Sequence, residues 1–274
     1  MSPLALVLVL AALQGLTEYL PVSSSGHLVL ARSFLPGGDQ LEANAALEVW
    51  LHIGTVLAVL VYYRREVARL AIGVLGRGEH VGEQRHLFAM LVLGSIPAAM
   101  IGIGMKTEIE HLFETPTPAA FALLLTGLVL WVSKQMEGRE RRLRGVTMQM
   151  ALIVGIAQAM AIMPGISRSG ITIVVAMALG MAPAAAATFS FLLSIPAVLG
   201  AGLLKIPDID ASVLTAGELA AGLLTSFVIG LASLVLLVTF AKQRRLHWFA
   251  PYCWVIGGTA LLAVALGYGP TPHA

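Results

Sequence analysis

Apolar runs of about 17 to 23 residues recur from one end of the chain to the other, separated by short polar connections. About 20 apolar residues in a helix cross the hydrocarbon core of a bilayer. Six stretches approach or meet that length: 47–63, 87–105, 118–133, 184–204, 219–241 and 248–268. The connections between them alternate in charge. Those at 64–86 (Arg64, Arg65, Arg69, Arg77, Arg85), 134–145 (Lys134, Arg139, Arg141, Arg142, Arg144) and 242–247 (Lys242, Arg244, Arg245) are basic. Those at 35–46 (Asp39, Glu42), 106–117 (Glu108, Glu110, Glu114 against Lys106) and 206–218 (Asp208, Asp210, Glu218) carry acids. Short basic connections stay on the cytoplasmic side, so the alternation predicts six transmembrane helices with the basic set inside. Tyr62, Tyr63, Trp248, Phe249 and Tyr252 suit anchors at the membrane interface on that side.

Two apolar regions are left over, 1–34 and 146–181, and a polar sequence interrupts each of them. The charge pattern requires 146–181 to enter and leave on one side, and nothing forces 1–34 to cross. Each is predicted to be a re-entrant helix, break, helix. Pro21 with Ser23, Ser24, Ser25 and Gly26 supplies the first break, and Pro164-Gly165 with Ser167, Arg168, Ser169 and Gly170 supplies the second. The halves also correspond at an offset of about 143 residues, with Ser25-Gly26 matching Ser169-Gly170. Each half then holds one hairpin and three spans, and an odd number of spans turns the second copy upside down. The predicted fold is an all-α polytopic membrane protein. It forms a single domain over 1–274, with inverted repeats at about 1–133 and 146–268, a plan that brings broken helices together near the midplane.

Composition narrows the class of function. The 274 residues are 58% hydrophobic and only 12% charged, with a mean hydropathy of +0.86, against about one-quarter charged in soluble domains. A net charge of +2 confined to short loops gives no nucleic-acid surface. The single cysteine, Cys253, excludes a disulfide framework within the chain and a thiolate metal cluster. Residues 2–13 lack a basic leader and run straight into Gln14 and Glu18, so they are expected to belong to the mature protein. No signal for an oligomeric state is present.

The chemistry lies in the two breaks. Gln14 and Glu18 are spaced i, i+4 and share a helix face, while Ser24 and His27 are spaced i, i+3 at the start of the next half-helix. Exposed NH groups at that start, and after Ser169, are ready anion sites. If the inverted copies meet, Arg168 faces Glu18, Ser24 and His27. Such a set suits phosphoryl transfer: Arg168 and the helix ends neutralise phosphate oxygens, Ser24 or a water attacks, and His27 relays the proton. Direct attack by His27 and a metal-activated water are the other routes these residues allow. Glu18, with Gln14 as a second candidate, could hold a hard divalent cation. Each residue also has a plainer use. Serines 23–25 suit helix caps, Glu18 and Arg168 suit a buried ion pair, and His52, mid-span, is read as packing. An intramembrane arginine, however, costs at least about 2.5–3.5 kcal/mol on insertion scales. The coincidence of every polar group in two related breaks therefore points to a site.

At these residues the chain resembles the bacterial undecaprenyl-diphosphate phosphatase family of the bacitracin-resistance type. The family's (Glu/Gln)-x-x-x-Glu motif is matched by Gln14 to Glu18, followed by Pro-Val-Ser-Ser-Ser-Gly-His at 21–27. Its Pro-Gly-x-Ser-Arg-Ser-Gly-x-Thr motif is matched at Pro164 to Thr172. The resemblance implies removal of the terminal phosphate from a polyprenyl diphosphate lipid in the bacterial inner membrane, which recycles the carrier for peptidoglycan synthesis. It also implies Mg²⁺ or Ca²⁺ dependence and a site opening to the periplasm. It makes Glu18, Ser24, His27 and Arg168 catalytic, with Gln14, Ser23, Ser25, Ser167, Ser169 and Thr172 contacting substrate. Gln14 stands where some members have Glu. An amide adds no negative charge, so the cation would be held by Glu18 with phosphate oxygens and waters, or would arrive on the diphosphate. The rival class is a lipid flippase or an anion- or proton-coupled carrier, which could use the same inverted repeat and anion site without the nucleophile.

Overall fold

The computed structural model describes residues 2–34, 45–136, 143–205 and 214–268, and these form an all-helical bundle. The connection at 35–44, with Asp39 and Glu42, lies outside the described residues, as do 137–142 and 206–213 with Asp208 and Asp210. The first helix, α1 (Pro3–Tyr19), is opened by Pro3 in its first turn and by Ser2, whose Oγ accepts the Ala5 N–H at 3.3 Å. It ends before Pro21, which cannot continue a helix, and α2 (Ser24–Phe34) returns alongside it. The same plan recurs in the second half. There α8 (Met148–Met160) is capped by Thr147 and α9 (Arg168–Ala178) by Ser167, each through the side-chain oxygen.

Among the described residues, five helical segments are long and apolar enough to cross a membrane: Val81–Gly104, Pro116–Gln135, Pro183–Leu203, Ala216–Lys242 and Leu246–Ala265. They contain α5 (Val81–Gly104), α7 (Pro116–Val132), most of α10 (Pro183–Lys205), α11 (Ala216–Lys242) and α12 (Ala250–Ala265). The stretch expected as a sixth span is α3 (Ala45–Tyr62), whose apolar part Val49–Tyr62 belongs to the shorter class with α1, α8 and α9. Among the described residues, two connections carry α-helices of their own. The basic one at 64–86 holds α4 (Arg64–Val74), and the acidic one at 106–117 holds α6 (Lys106–Leu112). On α11, Leu224, Val228 and Val235 are exposed at helical spacing, the arrangement expected of a face solvated by lipid rather than water.

Small residues let the short helices dock closely. A methyl added to Gly155 of α8 would lie 2.3 Å from the Gly94 carbonyl oxygen of α5, so only hydrogen fits between these backbones. In the same way α1 lies against α11, α3 against α11, and α7 against α12. The main core gathers Tyr19, Phe189, Phe191, Leu193 and Leu234, all buried, with the Tyr19 and Phe191 rings edge-on at 5.5 Å. The Tyr19 hydroxyl donates to the Thr55 carbonyl. The basic connections meet along one edge. His86 Nε2 lies 2.8 Å from the Val146 carbonyl oxygen, and Arg244 donates to the Met136 carbonyl at 3.2 Å. Trp131 and Trp248 there receive Lys134 and Arg245 over their rings at 5.3 and 4.7 Å.

Candidate active site

The tips of the two broken helix pairs touch. In the first, Ser23 adopts a left-handed backbone (φ 67°), which turns the chain from α1 into α2. In the second, Gly165 does so at φ 94°. Ser23 Oγ accepts two backbone N–H bonds, from Gly26 at 3.2 Å within its own half and from Gly165 at 3.1 Å in the other. The Gly165 carbonyl accepts the Thr126 hydroxyl of α7 at 2.8 Å, and Thr126 Oγ1 accepts the Ser167 N–H at 3.0 Å. The break is thereby pinned from below. A further tie runs from Ser169 Oγ to the Leu20 carbonyl at 3.4 Å.

This contact carries Arg168 to Glu18 across 150 residues of sequence: Nη2 donates to Oε1 at 2.6 Å. Glu18 Oε2 accepts the Ser24 hydroxyl at 2.7 Å and the Gln14 amide at 3.0 Å, the latter using the i, i+4 spacing on α1. His52 Nε2 stands 4.0 Å from Oε2. The carboxylate is therefore the hub of the site, with a guanidinium on one oxygen and a hydroxyl and an amide on the other. Two polar atoms beside it are buried and have no hydrogen-bond partner among the described residues, Arg168 Nη1 and Gln14 Oε1. Buried donors and acceptors are nearly always satisfied. An unmatched guanidinium N–H beside a hydroxyl is a place for an anionic oxygen.

Glu18, Ser24, Arg168 and Gln14 are thus brought together as the sequence predicts. His27 is placed otherwise. Its Nδ1 lies 2.8 Å from the Ser23 carbonyl oxygen and its Nε2 lies 2.8 Å from the Tyr252 hydroxyl of α12, so both ring nitrogens are engaged away from Ser24. The expected relay of the Ser24 proton to His27 is replaced in this geometry by a Ser24–Glu18 hydrogen bond. The reason is local. The turn at Ser23 aims its carbonyl back along α2, where the imidazole one turn later meets it. Ser23 and Ser25 lie 3.3 Å apart through their hydroxyls at the tip. Ser167 and Thr172 are buried supports: Ser167 caps α9 through the Gly170 N–H at 3.1 Å, and Thr172 bonds the Arg168 carbonyl at 2.7 Å and Ser190 at 2.6 Å. Ser169 is buried as well, its hydroxyl directed at Leu20 and Ser167.

Thr126 is not marked in the sequence as part of a site, Tyr252 reads there as an interfacial anchor and His52 as packing. Thr126 and Tyr252 carry no motif, and His52 is a lone histidine on an apolar helix. The donor set for a cation is small: among the described residues no three His, Cys, Asp or Glu side chains gather as a metal site. One carboxylate and one unpartnered amide oxygen fit a cation only when substrate oxygens complete its shell.

The sequence also matches known proteins over most of its length. Residues 7–259 match the family described as Bacitracin resistance protein BacA. The chain is 42% identical over 254 residues to the undecaprenyl-diphosphatase of Syntrophotalea carbinolica, covering 92% of this chain and 95% of that protein. It is 39% identical to the undecaprenyl-diphosphatase of Desulfosudis oleivorans (92% and 96% covered) and 37% identical to that of Methanosphaera stadtmanae (94% and 98%). A match across nearly the whole chain, with both polar breaks inside it, makes this protein a member of the BacA bacitracin-resistance family.

Proposed function

We propose that the chain is an integral membrane hydrolase that converts undecaprenyl diphosphate to undecaprenyl phosphate and inorganic phosphate. The observation that carries the reading is the contact of the two breaks, which sets Ser24, Glu18 and the unpartnered Nη1 of Arg168 side by side. Arg168 and the N–H groups opening α2 and α9 grip the terminal phosphate. Ser24 Oγ attacks that phosphorus as its proton passes to Glu18. The bond from phosphorus to the bridging oxygen breaks, and undecaprenyl phosphate leaves. Water then cleaves the serine phosphate, releasing inorganic phosphate and restoring the hydroxyl. Glu18 and the Gln14 amide oxygen would hold Mg²⁺ or Ca²⁺ arriving with the diphosphate. When bound, that cation supplies neutralisation of phosphate charge.

The proposal extends to the setting. The chain forms one membrane unit of six spans and two re-entrant hairpins, with repeats at 1–133 and 146–268. Helix pairing supports this. α1 packs on α11 while its counterpart α8 packs on α5, the counterpart of α11; the equivalent pairs α7/α12 and α3/α10 pack on each other. The basic edge faces the cytoplasm of a bacterial inner membrane, and the site opens to the periplasm. An apolar groove of about 910 Å³ between α1, α2, α11 and α12, lined by Leu13, Leu16, Leu30, Phe34, Ile256 and Ala263, shares His27 with the first break. It takes the near part of the prenyl tail, its size lying at the upper end of the roughly 300–1,000 Å³ of small-molecule pockets. Ala263→Trp, which fills the groove, is expected to raise KM for undecaprenyl diphosphate about tenfold, equivalent to about 1.4 kcal/mol. KM for isopentenyl diphosphate, whose five carbons are too short to span the stretch of α12 from Tyr252 to Ala263, should stay within about twofold. An equal rise for both substrates would remove the groove assignment.

The function is tested by purified protein in detergent micelles, where no gradient exists. Undecaprenyl diphosphate should release one inorganic phosphate, and undecaprenyl phosphate none. Gradient-dependent flux in vesicles with no phosphate release would make the chain a carrier instead.

A further inference from the structure

The hydrogen bonds around His27 form a continuous line from the far end of the chain to the contact of the two breaks. Tyr252, in the first turn of α12, stacks on His27 with ring centroids 5.6 Å apart and planes 5° apart, and its hydroxyl lies 2.8 Å from Nε2. Nδ1 lies 2.8 Å from the Ser23 carbonyl oxygen, and the His27 backbone N–H donates to the same oxygen at 3.2 Å. A carbonyl only accepts, so Nδ1 carries the proton, Nε2 in the neutral ring is the acceptor, and the Tyr252 hydroxyl donates to it. The residue held in this way is Ser23, whose φ of 67° is rare outside glycine. Ser23 Oγ in turn receives the Gly165 N–H of the second break at 3.1 Å. The next residue of α12 touches the same turn, the Cys253 thiol lying 3.9 Å from the Pro21 carbonyl oxygen.

We propose that Tyr252 is a positioning residue for the reaction. By holding His27 in the Nδ1–H tautomer against the Ser23 carbonyl, it fixes the left-handed turn that presents Ser24 to Glu18 and Ser23 to Gly165. His27 then acts as the second link of this latch and is not the proton acceptor of Ser24. The role rests on the hydrolase reading, but it is tested by residues that reading does not single out. Backbone strain of this kind persists only where surrounding contacts over-determine it, and here those contacts come from α12.

The experiment compares variants of the full-length protein that differ in what they keep. Tyr252→Phe keeps the stacked ring and removes only the hydroxyl. It should lower kcat about tenfold, the order expected for one lost hydrogen bond, with KM for undecaprenyl diphosphate within about twofold of the wild type. The ¹⁵N resonances of His27 should show the Nδ1–H tautomer in the wild type and lose that single state in the variant. His27→Asn retains an N–H donor where Nδ1 stood and has no imidazole. It should keep at least about ten times the kcat of His27→Ala, which removes the donor altogether. Equal inactivity of the Asn and Ala variants would make His27 a proton carrier or nucleophile and overturn the latch. A Tyr252→Phe protein with wild-type kcat and an unchanged His27 spectrum would overturn it as well. Phosphate release by the wild-type protein, measured alongside, separates failure of the latch from failure of the hydrolase reading itself.

Discussion

Ser24→Ala is expected to lower the rate of phosphate release at least about a thousandfold, consistent with the large losses seen when a nucleophile is removed, while leaving the fold in place. The separation of these two effects follows from the geometry. Ser24 is the first residue of α2 and is half-buried, and its hydroxyl makes one bond, to Glu18 at 2.7 Å. Losing that bond costs about 1 kcal/mol of stability, because Arg168 and Gln14 still hold the carboxylate. Chemistry loses far more. No other hydroxyl hydrogen-bonds to Glu18 among the described residues, since Ser23 and Ser25 turn to each other and Ser23 also serves the two backbone N–H groups. The measurement is phosphate released per mole of purified protein, with a melting curve in the same detergent. Wild-type turnover in the variant would move the attack to water or to His27.

Gly165→Ala is expected to destabilise the protein by about 2–5 kcal/mol, the sum of a left-handed backbone penalty and overpacking, and to abolish activity with it. At φ 94° an alanine is strained whatever the space around it. There is no space: its methyl would lie 2.1 Å from the Ala119 carbonyl oxygen and 2.7 Å from the Ala122 side chain. Backbone atoms of α7 cannot swing aside as a long side chain can, so the tip itself must shift. That movement withdraws the Gly165 N–H from Ser23 and drags Arg168, three residues on, away from Glu18. Gly258→Ala is the control, as a methyl there meets nothing within 4 Å. Equal melting temperatures for the two variants would mean that the breaks do not depend on each other.

The parts of this arrangement that could be read in advance share a cause. Long apolar runs and alternating loop charge answer to the bilayer, which acts on every residue of a segment at once. Five of the six expected spans recur among the described residues as helices long and apolar enough to cross a membrane, and the basic connections converge near Val146, Met136 and Arg244. The Gln14–Glu18 bond follows from helical periodicity alone. The meeting of Arg168 with Glu18 was legible only through the sequence likeness of the two halves, which predicts opposed hairpins with one place to meet. Tyr252 was read as an interfacial anchor, since an amphipathic ring beside basic residues suits that use; its hydroxyl instead faces His27, 225 positions away in sequence. Ser167 and Thr172 belong to a motif that reads as phosphate-binding, yet their hydroxyls satisfy the backbone around Arg168. Shared motif membership says which residues lie near one another, and not which way each side chain turns.

The sequence by itself determined the membrane class, the two polar breaks and the residue types gathered there, because solvent and helical period act locally and repeat along the chain. Only the tertiary structure decided that Ser24 pairs with Glu18, that His27 is claimed by Ser23 and Tyr252, and that Arg168 keeps one guanidinium edge unmatched. These depend on how far each short helix is rotated about its axis. That rotation is set by close backbone contacts such as Gly155 on Gly94 and Gly165 on Ala119, between segments that no local pattern connects.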